Sequence, residues 1–271
     1  MPLKQAIRSG AFFWAFNMND THEVRPLLRS MGRNNSPAIM SISPKAAGYA
    51  DLEILFRACD TARGRFPDRL YLMLDHAGDP ELILECARLG FDAVMVDCSH
   101  LPLEENAAFV NSMKDRIAGI APDMVVEAEV GHVASHYHGG AGHRKTTRKD
   151  VARFTEICEV DLLAISVGNE HGKDFPKPRL DLDLLRELHA TPHPPFVLHG
   201  GDWIDGGDLA AAAGLGMRKV NVGPETLRVF GESLRRRTRE DEEYVKDYRE
   251  LFTEVEKDVA RVYDEKFALI S

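Results

Sequence analysis

The sequence predicts an α/β protein built as a (β/α)8 TIM barrel with a C-terminal helical extension. Eight short apolar runs recur along the chain, and the gaps between them leave room for helices. The runs are almost continuously apolar, as expected for parallel strands covered by helices on one side and packed on the other. Eight such units favour a closed barrel over an open sheet. No GxGxxG motif follows the first run, which disfavours a Rossmann-like fold.

The predicted elements follow from these runs in chain order. The strands are AFFWAFN, PAIMSIS, LYLMLDH, AVMVDCS, MVVEAEV, LLAISVG, PFVLHGG and RKVNVG. Amphipathic segments between them predict helices at 79–89, 102–117, 148–158, 181–189 and 204–215.

The C-terminal segment, residues 225–271, is charged and has the apolar spacing of a helix. Its apolar positions are Tyr244, Leu251, Val255, Val259 and Val262. We expect a helical arm that packs on the barrel or on a second subunit. No long Pro-, Gly- or Ser-rich linker divides the chain, so residues 1–271 are predicted to form one domain.

The composition narrows the class of partner. The chain has 271 residues and a formal net charge of −9, which disfavours nucleic acid and anionic lipid as partners. Four cysteines without CxxC spacing indicate buried thiols in a reducing compartment rather than disulfides. No signal-peptide pattern or membrane-length apolar run is present, so we expect a soluble, cytoplasmic protein.

Histidines stand at the ends of three predicted strands, where barrel enzymes carry their catalytic groups. His76 ends the third strand, His171 follows the sixth and His199 ends the seventh. Each one alone is better explained as a structural side chain bonded to backbone. Together they have the number of ligands of a catalytic zinc site, which keeps one coordination position open. Carboxylates accompany them at Asp75, Asp97, Glu127 and Glu129.

A long loop, GHVASHYHGGAGHRKTTRK, follows the fifth predicted strand. It carries His132, His136, His138 and His143 among glycines and basic residues. A second metal site is one interpretation. A solvated lid that closes over the substrate is the favoured one, because long loops at this end of a barrel commonly serve as lids.

Seven motifs stand in a fixed order along the chain: GAFFWAFNMND, LDHAGDPE, VMVDCSHLPLEEN, VVEAEVG, SVGNEHG, VLHGG and KVNVG. As a set they resemble the class II, metal-dependent fructose-bisphosphate and tagatose-bisphosphate aldolase family, from about residue 10 to the end of the eighth strand. The resemblance implies that His76, His171 and His199 bind Zn²⁺ or another divalent transition metal. It also implies that Asp75 is the acid/base at the cleaved bond.

The resemblance implies further roles. Asp97 and Glu129 match acidic positions that surround or alternately contact the metal. Gly172, Gly200 and Asn221 match positions that frame the ketose half of the substrate, partly beside a monovalent cation. Asn17 and Asp202 are further expected substrate-binding residues.

The sequence departs from the family at positions that handle phosphate. A GGS motif is replaced by Gly200-Gly201-Asp202, and an NxDT pattern by Asn221-Val222-Gly223-Pro224. A carboxylate repels phosphate and proline lacks a backbone donor, so a dihydroxyacetone-phosphate end is not expected. An alternative role for Asp202 is the N-cap of the following helix.

The acidic lid residue of the family has no clear counterpart in the loop segment VASHYHGGAGHRKTT. The candidates to replace it are His136, Tyr137 and His138.

The function that follows is a lyase that cleaves or forms a carbon–carbon bond in a ketose or related sugar through a metal-stabilised enediolate. One alternative is a sugar epimerase or isomerase with the same chemistry. Another is a catalytically silent barrel that acts as a binding or scaffold subunit. The expected partners are a small sugar substrate and further copies of the chain, in a homodimer or homotetramer.

Overall fold

The computed structural model describes residues 1–133, 144–172, 177–240 and 247–270. The strands are β1 (Phe13–Asn17), β2 (Ala38–Ile42), β3 (Leu70–Ala77), β4 (Ala93–Val96), β5 (Val125–Val130), β6 (Leu162–Ile165), β7 (Phe196–Leu198) and β8 (Met217–Val222). The helices are α1 (Leu3–Arg8), α2 (Val24–Met31), α3 (Pro44–Ala50), α4 (Leu52–Arg63), α5 (Pro80–Leu89), α6 (Leu103–Ala118), α7 (Arg148–Ile157), α8 (Leu182–His189), α9 (Gly206–Gly214), α10 (Pro224–Glu240) and α11 (Tyr248–Leu269).

The strands form a closed parallel barrel in chain order, with β1 paired to both β2 and β8. The predicted TIM barrel with a C-terminal helical extension is therefore confirmed. The five predicted helices agree with α5 to α9 to within two residues at each end. Two helices, α3 and α4, follow β2, and they meet at Asp51, whose side chain caps α4.

Strand parity places the polar residues of the barrel interior. Alternate residues of a strand face the same side, and Phe13 and Ala15 of β1 belong to the inner apolar cluster while Trp14 and Phe16 face the helices. The same alternation carries Tyr71 and Met73 of β3 inward. Further along the strands, the same alternation brings polar residues to the pocket at the carboxyl ends. Helix α1 contributes its apolar residues to the bottom of this inner cluster.

The C-terminal helix α11 packs on the outside of the barrel, against α2 and α10. The Tyr263 ring lies 4.5 Å from that of Phe16 on β1, between ring centroids, and Phe267 contacts the same ring. Helix α10 directly follows β8 and begins at the mouth of the barrel. Tyr244, one of the predicted apolar positions of this segment, lies outside the described residues.

Two further expectations concern the cysteines and membrane-spanning helices. All four cysteines are buried free thiols, as expected from their spacing. None of the helices in the described ranges combines the length and apolarity that a bilayer crossing requires.

Candidate metal centre

A pocket of about 780 Å³ opens at the carboxyl ends of the strands. Barrel enzymes place their chemistry at this end. The polar residues that line it include most of the predicted site, namely Asn17, Asp75, His76, Asp97, Glu129, His171, His199, Asp202 and Asn221, together with Gly200.

The three predicted histidine ligands converge in this pocket. Their ring centroids lie 4.3 Å apart for His76 and His199, 5.3 Å for His76 and His171, and 5.8 Å for His171 and His199. One nitrogen from each ring falls within 4.8 Å of the others. Nε2 of His76 and Nδ1 of His199 are buried and have no hydrogen-bond partner among the described residues. Unpartnered imidazole nitrogens that face one another fit a divalent cation.

His76 is fixed by its backbone and by Asp97. Its φ of 49° lies in the left-handed region, so the residues at the end of β3 leave regular strand geometry. Nδ1 of His76 lies 2.7 Å from Oδ2 of Asp97, whose Oδ1 accepts a hydrogen bond from the Ser99 amide. Burial raises the pKa of Asp97, but its bonds to His76 and Ser99 outweigh burial and bring it well below the ordinary value. Asp97 is thus a charged group that holds the His76 ring from behind.

His199 is held by a carboxylate deeper in the barrel. Its Nε2 lies 2.9 Å from Oε1 of Glu127, and Oε2 of Glu127 lies 2.8 Å from Nζ of Lys219. All three side chains are fully buried. Burial, and then the positive charge of His76, lower the pKa of His199 well below its usual value, so the ring is neutral. Its Nε2–H therefore donates a hydrogen bond to Glu127, and Nδ1 keeps a lone pair that is available to a metal.

His171 lies on the loop after β6, and this loop is tied to the end of β7. Asn169 accepts a bond from the Val167 amide and donates one to the carbonyl of His199. Gly200, with φ of 63°, approaches so closely that a Cβ would lie 2.6 Å from the Glu170 carbonyl oxygen. Only glycine allows this contact, which carries His171 to the other two rings.

Asp75 lies beside the histidines, one residue before His76. The Asn221 side-chain amide faces its two carboxylate oxygens at 3.3 and 3.2 Å. Because a carboxylate only accepts, the amide nitrogen of Asn221 must face Asp75, and its Oδ1 faces away without a partner among the described residues. Asp75 is 3 % exposed and lines the pocket, where it can exchange a proton with a bound molecule.

Glu129 offers a second group of ligands. Oxygen and nitrogen atoms of His76, Asp97 and Glu129 also lie within 4.8 Å of one another. Oε1 of Glu129 accepts the Val133 amide, and Oε2 has no partner among the described residues. Burial and the negative charge of Asp97 raise the pKa of Glu129 to about 8. The geometry is compatible with alternate contact to a cation.

Comparison with known proteins agrees with this geometry. The family model for fructose-bisphosphate aldolase class-II matches residues 2–271. The chain belongs to the class II fructose-bisphosphate aldolase family. Members of this family generally depend on a divalent metal, and membership supports an aldolase-type lyase.

Solved structures of aldolases share the fold. The chain is similar to the YdjI aldolase from Escherichia coli K12, with 22% identity and a TM-score of 0.84 over 98% of this chain and 94% of that one. It is also similar to fructose-bisphosphate aldolase from Campylobacter jejuni, with 20% identity and a TM-score of 0.74 over 98% of this chain and 91% of that one. At these identities the likeness concerns the fold.

The remaining predicted residues are Asn17, which also lines the pocket, Gly172 and the lid candidates. Asn17 lies against Gly223, where a Cβ would come within 2.5 Å of its side-chain nitrogen. Gly172 follows His171 with φ of 72° and is not among the described residues that line the pocket. The predicted lid candidates, His136, Tyr137 and His138, lie outside the described residues, as does His143.

The N-cap interpretation of Asp202 is wrong for the helix that follows it. Helix α9 begins at Gly206, and the side chain that caps it is Asp205, which accepts the Gly207 amide. Asp202 accepts instead from the amides of Gly223 and Glu225, at the start of α10. Asp202 follows β7, whereas the amides it accepts follow β8. The local sequence around Asp202 gives no sign of this long-range contact.

Three residues of the pocket region were not among the predicted site. Two of them, Glu127 on β5 and Lys219 on β8, together fix His199. Strand parity could have found both, because Glu127 shares a face with Glu129 and Lys219 with Asn221. Lys45, at the start of α3, is the one lysine or arginine among the described residues that line the pocket. It had no signal in the sequence beyond its place after β2.

Proposed function

We propose that this chain is a divalent-metal-dependent lyase that cleaves or forms a carbon–carbon bond in a ketose or related sugar. The observation that carries the proposal is the convergence of His76, His171 and His199. Two of these rings have buried nitrogens without a partner in the part of the chain that the structure describes. These three residues would hold the metal. Zn²⁺ suits three imidazole ligands, as do other late divalent transition metals.

The bound metal would supply a Lewis acid that polarises the substrate carbonyl and favours negative charge on the adjacent oxygen and carbon. The residues of the chain do the rest. Asp75 takes the proton from the hydroxyl at the bond that breaks, which turns that carbon into an aldehyde. In the reverse direction it returns the proton. Asn221 keeps the carboxylate of Asp75 in place through its amide nitrogen.

The surrounding carboxylates support this arrangement. Asp97 and Glu127 each accept a bond from the far side of a ligand ring, which fixes the tautomer and orientation of His76 and His199. Glu129 would contact the metal alternately or stand beside it. We further propose that His136, Tyr137 or His138 handles the proton on carbon, and that the protein acts in a reducing, cytoplasmic setting where its four free thiols persist.

The test is aldehyde release from a panel of ketoses, both free and phosphorylated, by protein reconstituted with Zn²⁺, Co²⁺ or Mn²⁺. We expect cleavage of at least one member, abolished by chelation and restored by metal. Asp75→Asn, with its metal still bound, is the matched inactive control. A metal-loaded protein that is silent across the panel contradicts the proposal. Deuterium exchange into a ketose without cleavage would indicate an epimerase or isomerase instead.

A further inference from the structure

One wall of the pocket is formed by Asn17, Asp202, Asn221 and Gly223, which we call the Asp202 wall. It adjoins the proposed catalytic group, since Asn221 bonds to Asp75. The start of α10 forms part of this wall. The start of a 17-residue helix normally offers free amides and the positive end of a dipole to an anion.

In this chain the amides at that helix start are already used. Oδ1 of Asp202 accepts from the Gly223 amide at 3.1 Å and from the Glu225 amide at 2.8 Å. Pro224 has no amide hydrogen. The amides of Thr226 and Leu227 bond to the Gly223 carbonyl. At the start of α10, the Asp202 carboxylate therefore occupies the position in which a phosphate would bind these amides.

Two buried acceptor atoms of this wall lack a hydrogen-bond partner among the described residues. Oδ2 of Asp202 has no partner among the described residues, although the residue is 1 % exposed. Oδ1 of Asn221, which is 4 % exposed, is likewise without a partner there. A phosphate monoester dianion presents only acceptor oxygens, whereas an alcohol presents an O–H donor. The unpartnered acceptors of the wall therefore suit an alcohol hydroxyl and do not suit a phosphate monoester.

Charge on the wall points the same way. Lys266, whose positive charge acts on Asp202, is also paired with Glu225 at 2.7 Å. One cation thus stands against two carboxylates in this group of three. Burial raises the pKa of Asp202 to about 6, which still leaves a carboxylate at pH 7.5. A buried negative charge beside a phosphate is a strong element of selection against it.

We infer that the Asp202 wall binds a free hydroxyl end of the substrate and rejects a phosphate ester there, so that the enzyme acts on a ketone whose end at this wall is unphosphorylated. The inference rests on the proposed function, because it names the substrate class of that site. Asp202 is the specificity-determining residue. A phosphate elsewhere on the substrate would lie away from this wall, and Lys45 is the pocket-lining cation available to it among the described residues.

The test compares two small ketones, dihydroxyacetone and dihydroxyacetone phosphate, by calorimetric binding to the metal-loaded protein at pH 7.5. We expect the wild type to bind the free ketone at least about tenfold more tightly. Asp202→Ser frees two amides and removes the charge, and should shift the ratio of the two Kd values by at least about tenfold toward the phosphate. Asp202→Asn keeps an acceptor for the amides and loses the charge, so its ratio should fall between these two.

Several results would overturn the inference. One is tighter binding of the phosphate ester by the wild type, and another is a ratio that neither variant changes. Tighter binding of 1-amino-3-hydroxyacetone than of dihydroxyacetone would mean that the wall selects a cation. The same ketones, offered with an aldehyde in the condensation direction, separate the two proposals. Turnover with a preference for the phosphate ester defeats the inference and keeps the lyase. The expected binding ratio with no turnover defeats the lyase and keeps the binding preference.

Discussion

Nε2 of His199 lies 2.9 Å from Oε1 of Glu127, in the closed interior of the barrel. This one contact links the proposed metal site to a buried ion pair, since the other oxygen of Glu127 bonds to Lys219. The buried pair of Glu127 and Lys219 therefore orients the His199 ring and leaves its Nδ1 free for the proposed metal.

Loss of the buried ion pair should be measurable as stability. Lys219→Met leaves Glu127 without a counter-charge, and we expect the free energy of unfolding to fall by about 3–5 kcal/mol. The double variant Glu127→Gln with Lys219→Met removes both charges and keeps an acceptor for His199, so it should be less destabilised than the single variant. Denaturant unfolding of the metal-free proteins measures this. A double variant as unstable as the sum of the two single variants contradicts the account.

Removal of the Asp75 carboxylate should stop the reaction without loss of metal. Asp75→Asn keeps the size of the side chain but cannot accept the substrate proton, and we expect kcat to fall by about 10²- to 10⁴-fold. Metal content, measured on the same samples, should equal that of the wild type. A variant that loses its metal instead would make Asp75 part of the metal site rather than the acid/base.

The buried Asp202 carboxyl should leave a signature in stability against pH. Burial raises its pKa in the folded protein to about 6, above the ordinary value of 3.8. The folded state therefore holds this proton more tightly, and stability falls as pH rises from about 4 to 6. Asp202→Asn lacks this contribution, so its stability relative to wild type should increase by roughly 3 kcal/mol across that window. A pH-independent difference between the two proteins contradicts the burial argument.

Two substitutions at Tyr263 test how the C-terminal helix is held. The Tyr263 hydroxyl is buried with no partner among the described residues, while its ring packs on Phe16. Tyr263→Phe keeps the ring, so stability should be unchanged or higher by about 1 kcal/mol. Tyr263→Ala should lower it by about 3–5 kcal/mol. Thermal and denaturant unfolding provide the comparison. A phenylalanine variant as unstable as the alanine variant would reveal a bond to the hydroxyl.

Much of the fold and the three histidines could be predicted because both follow local rules. Apolar runs identify the strands, and a barrel places every strand end in one ring, so His76, His171 and His199 had to lie near one another. The roles of Glu127 and Lys219 were not predicted, although their strand positions carried a signal. The roles of these two residues depend on which side chains they meet across the barrel. Strand register determines those contacts, and local sequence does not.

Asp202 shows the limit of local inference. Its position before a helix indicated an N-cap, and the chemistry of that prediction was right, since it does accept backbone amides. The predicted helix was the wrong one, because these amides belong to the start of α10 and not to α9. The pairing of β7 with β8 brings the end of β7 beside the start of α10, which follows β8.

The measurement that tests the central proposal most directly is X-ray absorption at the zinc edge of reconstituted protein, with metal content determined on single alanine variants. We expect three imidazole nitrogens at about 2.0–2.1 Å and one added oxygen. His76→Ala, His171→Ala and His199→Ala should each lose most of the metal, while His193→Ala, at the opposite end of the barrel, should keep it. Protein that binds no metal after reconstitution, or metal held without these three rings, would contradict the account.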